Sequence, residues 1–419
     1  MSKIEKLKSA LKSKDGKVLA SNFAYLSLLQ VAGYVFPLIT LPYLARVIGV
    51  EGFGKIAFAS AVIVWIQTIA DWGFNFTATR DVARNRDNIA IVSQIFSNVL
   101  WARLLLMVVS LAILLVLIAF IPDFKENADV ILVTFVLVPG HILFPEWFFQ
   151  AMERMRYITI LNLLSKLVFT VAVFLFVKTK EDYILQPLLV SLGYLVAGLI
   201  AMYYIIFRWN VRLSYFSIKN VWLTIKTSSD VFINNLMPNL YNSFSTMLLG
   251  FCGGSMANGL LDAGSRFVNI AQQFMGVVSR TFFPFLSRRI EKHSLYVKLN
   301  ITSAIVCSLL LFLLAPYIIR LFYTVDFEQA IIVLQIMSVS IIFLSLNNIY
   351  GTNYMIIEGR ERELRNITTI CSIVGFIASF PLIYYWGYIG AAITITLTRG
   401  LLGVFIAISA KKQLNKYKK

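Results

Sequence analysis

The chain carries about twelve stretches of roughly 20 predominantly apolar residues, the length an α-helix needs to cross the hydrocarbon core of a bilayer. In lipid, every backbone N–H and C=O must find its partner within the fold, so such stretches span as helices and not as loops or open strands. They run near 22–45, 55–76, 97–121, 130–151, 158–177 and 184–206, then near 230–250, 257–279, 299–322, 328–354, 367–385 and 389–409. The expected fold class is all-α, a polytopic membrane protein. Composition agrees: 58 % of the 419 residues are apolar and 14 % are charged, where soluble domains average about 45–50 % and 25 %. A soluble enzyme is excluded.

Charge then orients the spans. Lys and Arg outnumber Asp and Glu by 38 to 21, which in a soluble protein would point to nucleic acid. Here 28 of the 38 fall in the two terminal segments and every second loop (1–17, 77–94, 153–157, 208–227, 280–298, 358–365 and 411–419), and six in or beside the alternate loops. That asymmetry predicts cytoplasmic termini and explains the charge without nucleic acid. Ile4, Leu7 and Leu11 share one face of a Lys-rich segment, consistent with a helix on the anionic inner leaflet or with a basic tail. Three Cys and two His are too few and too scattered for a disulfide framework, a metal site or a Ser–His relay. No metal is expected.

A weak internal echo divides the chain. Gly49–Val62 reads GVEGFGKIAFASAV and, 205 residues later, Gly254–Phe267 reads GSMANGLLDAGSRF. Both are glycine-rich turns opening the second span of a six-span half. Halves with an even number of spans would be parallel repeats about the membrane normal. The expected organisation is a basic N-terminal segment (1–19), an N-terminal half (20–215), a C-terminal half (216–410) and a basic tail (411–419).

Polar groups inside spans are costly and normally face a partner or a water-filled cavity. Asp262, Arg266, Asn269, Gln273 and Arg280 repeat at helical spacing and share one face of the eighth span. Asn235, Asn239, Asn242 and Thr246 do so on the seventh, beside a kink expected at Pro238. Ser60, Gln67 and Asp71 align on the second span; Ser27, Gln30 and Tyr34 align on the first. Any single amide could simply glue helices together. Two polar stripes on successive spans instead predict a cavity lined by spans 1, 2, 7 and 8. Arg103, Lys166, Arg266 and Arg399 are the cations within spans. Asp262 sits one turn from Arg266 and could neutralise it, and Arg103 is expected to snorkel to the interface. Guanidinium groups suit phosphate, and amides suit sugar hydroxyls.

Other motifs carry no chemistry. Gly49–Ile56 (GVEGFGKI) is one residue short of a P-loop and lacks its Ser or Thr. The Asn75, Asn300 and Asn366 sequons fall in or beside the membrane, towards the cytoplasm. No external loop is long enough for a catalytic site, which argues against a membrane polymerase. A multidrug or cation antiporter would need buried carboxylates, and only Asp71, Asp230 and Asp262 lie near the candidate cavity.

The run Phe36–Asp87, FPLITLPYLARVIGVEGFGKIAFASAVIVWIQTIADWGFNFTATRDVARNRD, resembles the N-terminal signature of Wzx-type polysaccharide flippases. Pro145–Arg154 (PEWFFQAMER) and Ala263–Arg288 (AGSRFVNIAQQFMGVVSRTFFPFLSR) are also similar, the latter to lipid II flippases through Arg266, Gly276, Pro284, Leu286 and Ser287. The resemblance implies two six-helix lobes around a central cavity, with alternating access. It also implies transfer of an undecaprenyl-pyrophosphate-linked oligosaccharide across the bacterial inner membrane. It gives Arg266 a substrate role and puts Arg46, Asp71 and Arg80, with the neighbouring Arg84, in a motif for gating, packing or substrate contact. Lys166 and Arg399 complete the candidate cavity set. No cofactor is implied beyond coupling to a proton or sodium gradient; inner-membrane lipids, the polysaccharide polymerase and its chain-length machinery are the expected partners.

Overall fold

The computed structural model describes residues 14–288, 290 and 293–414. Ile4, Leu7, Leu11 and the end of the basic tail lie outside the described residues. Among the described residues the chain is helix and short connections, without a strand. Nine stretches among the described residues are long and apolar enough to span. The last, Glu361–Lys412, is two helices that meet at Gly387, which adopts a positive φ of 52°. The expected spans at 230–250 and 257–279 fall on Ile218–Leu236 and Ser243–Arg288, whose polar stripes make them less apolar than the other nine.

By contacts the chain forms two compact units, one of residues 1–43 and 66–233, the other of 44–65 and 234–419. The first is organised around Ile89–Phe120. Asn88 caps its start, its side chain accepting from the N–H groups of Ala90 and Ile91, which satisfies two otherwise unpaired donors. Val108, Val109, Ile113, Val116 and Phe120 are exposed, whereas Ser93, Ser97, Arg103 and Ser110 are buried. A helix surrounded by lipid gains nothing by hiding apolar groups, so its polar residues turn inward. Ser93 Oγ and Ser97 Oγ accept from the N–H groups of Arg212 and Ser214, supplying partners to a segment outside regular structure.

The Asp71-Trp72-Gly73 motif closes this unit. Asp71 pairs with Arg103. Trp72 stacks on Phe232 at 3.8 Å and donates from Nε1 to the Ile225 carbonyl at 3.1 Å. Gly73, at φ 78°, lies against Val231. Three successive residues thereby tie the end of Gly49–Asp71 to Ile218–Leu236 and Ile89–Phe120.

In the second unit the two echoing segments pack on each other. Gly49 and Gly254 each open a helix with positive φ, 64° and 71°. A Cβ on Gly54 would stand 1.5 Å from the Ser255 carbonyl oxygen, and one on Gly259 would stand 2.1 Å from that of Val50. The contact is reciprocal at the 205-residue offset: 54 meets 255, and 259 meets 50. Helices in lipid associate by such close backbone approach. Gly54→Ala and Gly259→Ala are each expected to cost at least the roughly 1–3 kcal/mol of an overpacked core, read as a lower yield of monodisperse protein in detergent.

Candidate functional site

Each unit contains its own polar centre. In the first, the ends of Gly49–Asp71 and Ile218–Leu236 hold Phe74–Arg84 beside Glu146–Ala151. These elements, with Ile89–Phe120 and Leu137–Leu143, enclose a cavity of about 510 Å³. Asp71, Arg80, Arg103, His141 and Glu146 line it, together with Asn75, Thr79, Gln150, Phe76, Phe144 and Trp147. The Arg103 side chain is 4 % exposed and pairs with Asp71, at 24 %, so Arg103 does not snorkel. A carboxylate within reach makes the interior the better place for its charge. Asn162 Nδ2 donates to Glu146 Oε1 at 2.9 Å, and Lys166, one turn further along Met155–Phe176, is half-buried. The His141 ring stacks on Tyr194 with centroids 4.3 Å apart. Arg80 is exposed and donates to its neighbour Asp81 at 2.8 Å. Arg84 is exposed, and Gln67 is half-buried.

In the second unit the eighth expected span is regular beyond Gly254. Its stripe is as the spacing predicts: Asn269, Gln273 and Arg280 are exposed and Asp262 and Arg266 half-buried, while Leu261, Ala263, Val268, Ala271 and Met275 are buried. Arg266 donates to Asp262 Oδ2 from Nε at 3.2 Å and from Nη2 at 2.6 Å, and its guanidinium lies 5.2 Å from the centroid of the Phe53 ring. Of five guanidinium N–H groups, three remain outside this pair.

The stripe of the seventh expected span is interrupted. Helix Ile218–Leu236 ends before a tight turn, Met237–Leu240, and a new helix starts at Ser243; Pro238, without an N–H, breaks the ladder there. Asn235 is exposed and Asn239 half-buried. Asn242 donates to the Pro238 carbonyl at 3.0 Å and accepts from Arg399 Nη2 at 3.2 Å. Arg399, 7 % exposed, also donates to Ser340 Oγ at 3.1 Å. Its hydrogen-bond partners are neutral, and no carboxylate is in ion-pair range among the described residues. A buried charge without an ionic partner pays a desolvation cost that neutral partners offset only in part. Arg399→Met removes that cost and is therefore expected to leave the unfolding midpoint in detergent unchanged or raised.

Arg46 stands exposed in the last turn of Lys14–Val47. Sequence reasoning did not single out Glu146 or His141, nor a buried chain in the second unit. There Asn353 donates to Ser279 Oγ at 2.6 Å and to the Tyr296 hydroxyl at 2.9 Å. Asn300 donates to the same hydroxyl at 3.1 Å and accepts from Ser345. Their signal was polarity inside apolar stretches, without helical periodicity to group it. Asn300 is fully buried, so its sequon cannot take a glycan.

An all-helical, multi-span chain with paired and unpaired cations inside its helices belongs among membrane transporters. Residues 19–290 match the family model described as "Polysaccharide biosynthesis protein", and the chain belongs to that family, in keeping with its resemblance to Wzx-type flippases. Two relatives named "Putative O-antigen transporter" are 29 % identical over 92 % of this chain and 94 % of theirs (Escherichia coli strain K12), and 26 % identical over 94 % and 100 % (Shigella dysenteriae). Both are named as transporters and not as enzymes. Among solved structures, the lipid II flippase MurJ in an inward closed conformation superposes with TM-score 0.71 at 14 % identity, covering 94 % of this chain and 87 % of that one. The eukaryotic MATE transporter AtDTX14 gives 0.61 at 13 % identity, covering 97 % and 98 %. These structural likenesses establish the fold: all-α, polytopic, of the kind with about twelve transmembrane helices.

Proposed function

We propose that this protein moves an undecaprenyl-pyrophosphate-linked oligosaccharide repeat unit, of O-antigen or capsule type, from the cytoplasmic to the periplasmic leaflet of a bacterial inner membrane. The observation that carries this reading is the match to two O-antigen transporters along more than 90 % of every chain involved. The half-buried Arg266 and the buried Arg399 support it, because cations held within spans suit a pyrophosphate, and guanidinium groups bind phosphate bidentately. Exposed Asn269 and Gln273 would meet sugar hydroxyls. The two units would alternate access by rocking, with both termini cytoplasmic as the charge bias of the loops predicts. A proton or sodium gradient would supply the energy. Handing the repeat unit to a polymerase and its chain-length machinery would follow on the periplasmic side.

The test is deletion of the gene in its host, with lipid-linked oligosaccharide quantified on each leaflet. Complete repeat units should accumulate on the cytoplasmic side, with surface polysaccharide lost and restored by the intact gene. Unpolymerised units on the periplasmic leaflet would identify a polymerase instead. An unchanged glycolipid distribution would discard the flippase reading in favour of the cation antiporter.

A further inference from the structure

Cavity chemistry in the first unit differs from that around Arg266 and Arg399. Its charges are largely paired locally: Asp71 takes Arg103 and Arg80 takes Asp81, while Glu146 accepts from Asn162. The two carboxylates on its wall, Asp71 and Glu146, would repel a phosphate. What the cavity offers is a set of planar hydrogen-bonding groups. Asp71 and Glu146 accept, Arg80 donates, and Asn75 and Gln150 do both. Asn75 and Gln150 are exposed, and their side chains make no hydrogen bond among the described residues. Beside them Phe76 is 65 % exposed, next along the chain from Asn75. Carboxylates and amides in one lining with an exposed ring suit a neutral ligand with many hydroxyls, each a donor and an acceptor, and with apolar C–H faces that lie on the ring. At about 510 Å³ the space is within the roughly 300–1,000 Å³ of small-molecule sites.

We propose that this cavity is a saccharide subsite: it holds one or two sugar rings of the glycan through Asp71, Asn75, Glu146 and Gln150, with Phe76 as the platform. The inference rests on the flippase reading and extends it, adding a sugar-recognising site in the first unit. Arg80 places the cavity beside the basic 77–94 loop, on the side from which a cytoplasmic glycan would enter.

The test uses the full chain in nanodiscs and two probes, the lipid-linked oligosaccharide extracted from the host and undecaprenyl pyrophosphate without sugar. Asn75→Ala/Gln150→Ala and Phe76→Ala change exposed residues, so melting temperatures should match wild type. Each variant is expected to weaken binding of the glycan-bearing lipid about 5–10-fold, the scale of one or two hydrogen bonds or a ring contact, and to leave the sugar-free lipid unchanged. Unchanged affinity for the glycan-bearing lipid in both variants overturns the subsite while the flippase reading stands. Equal weakening for both probes also overturns it. A wild-type chain that binds neither probe overturns the flippase reading and the subsite with it.

Discussion

Export of surface polysaccharide is expected to collapse in Arg266→Ala and to survive in part in Arg266→Lys, measured in a deletion host at matched protein levels. Arg266 is anchored on one side by Asp262 and by the face of Phe53, which leaves three N–H groups for a ligand. Charge-assisted hydrogen bonds contribute about 1.5–3 kcal/mol each, so losing two of them predicts a fall of roughly 10²–10⁴-fold. Alanine also leaves Asp262 alone, placing a negative charge where a pyrophosphate would bind. Lysine keeps the charge and can still reach Asp262, but it has no planar fork. Asp262→Asn serves as the control and should retain far more export than Arg266→Ala. Normal export by Arg266→Ala would remove this residue from the mechanism.

The largest effect on stability is expected at Arg103. Its side chain is almost wholly buried and its ion-pair partner is Asp71. Breaking a buried pair from one side costs about 3–5 kcal/mol, because the remaining charge is left in a medium of low polarity. Arg103→Met should therefore lower the unfolding midpoint in detergent by many degrees and reduce the yield of folded protein. Adding Asp71→Asn removes the stranded charge, so the double variant should recover most of the loss. An Arg103→Met protein as stable as wild type would mean that the pair does not hold the first unit together. The cavity beside the pair makes the double variant informative about transport as well: a folded protein without this pair reports whether Asp71 is also needed for cargo.

Several features of the site were legible in residue spacing. Asp262, Arg266, Asn269 and Gln273 recur at helical intervals, and an α-helix of that sequence must place them on one face. The partnership of Arg266 with Asp262 follows from the same geometry. The glycine echo was also legible, though not its meaning. Only the fold shows that Gly54 meets Ser255 while Gly259 meets Val50. The stripe of Asn235, Asn239 and Asn242 beside a kink at Pro238 was legible too, but only the fold shows Asn242 accepting from Arg399.

The sequence by itself determined the class of molecule. Hydrocarbon solvent imposes helices on long apolar runs, and the bias of Lys and Arg among the loops predicts their orientation. Both are local properties, readable without knowing which helix touches which. Tertiary structure decided the fate of each buried charge. Arg103 finds Asp71 from 32 residues away, Glu146 receives the Asn162 amide, and Arg399 is left to Asn242 and Ser340. A charge inside a membrane protein is stabilised or stranded by groups a few ångströms away, and the fold brings those groups together from distant parts of the chain.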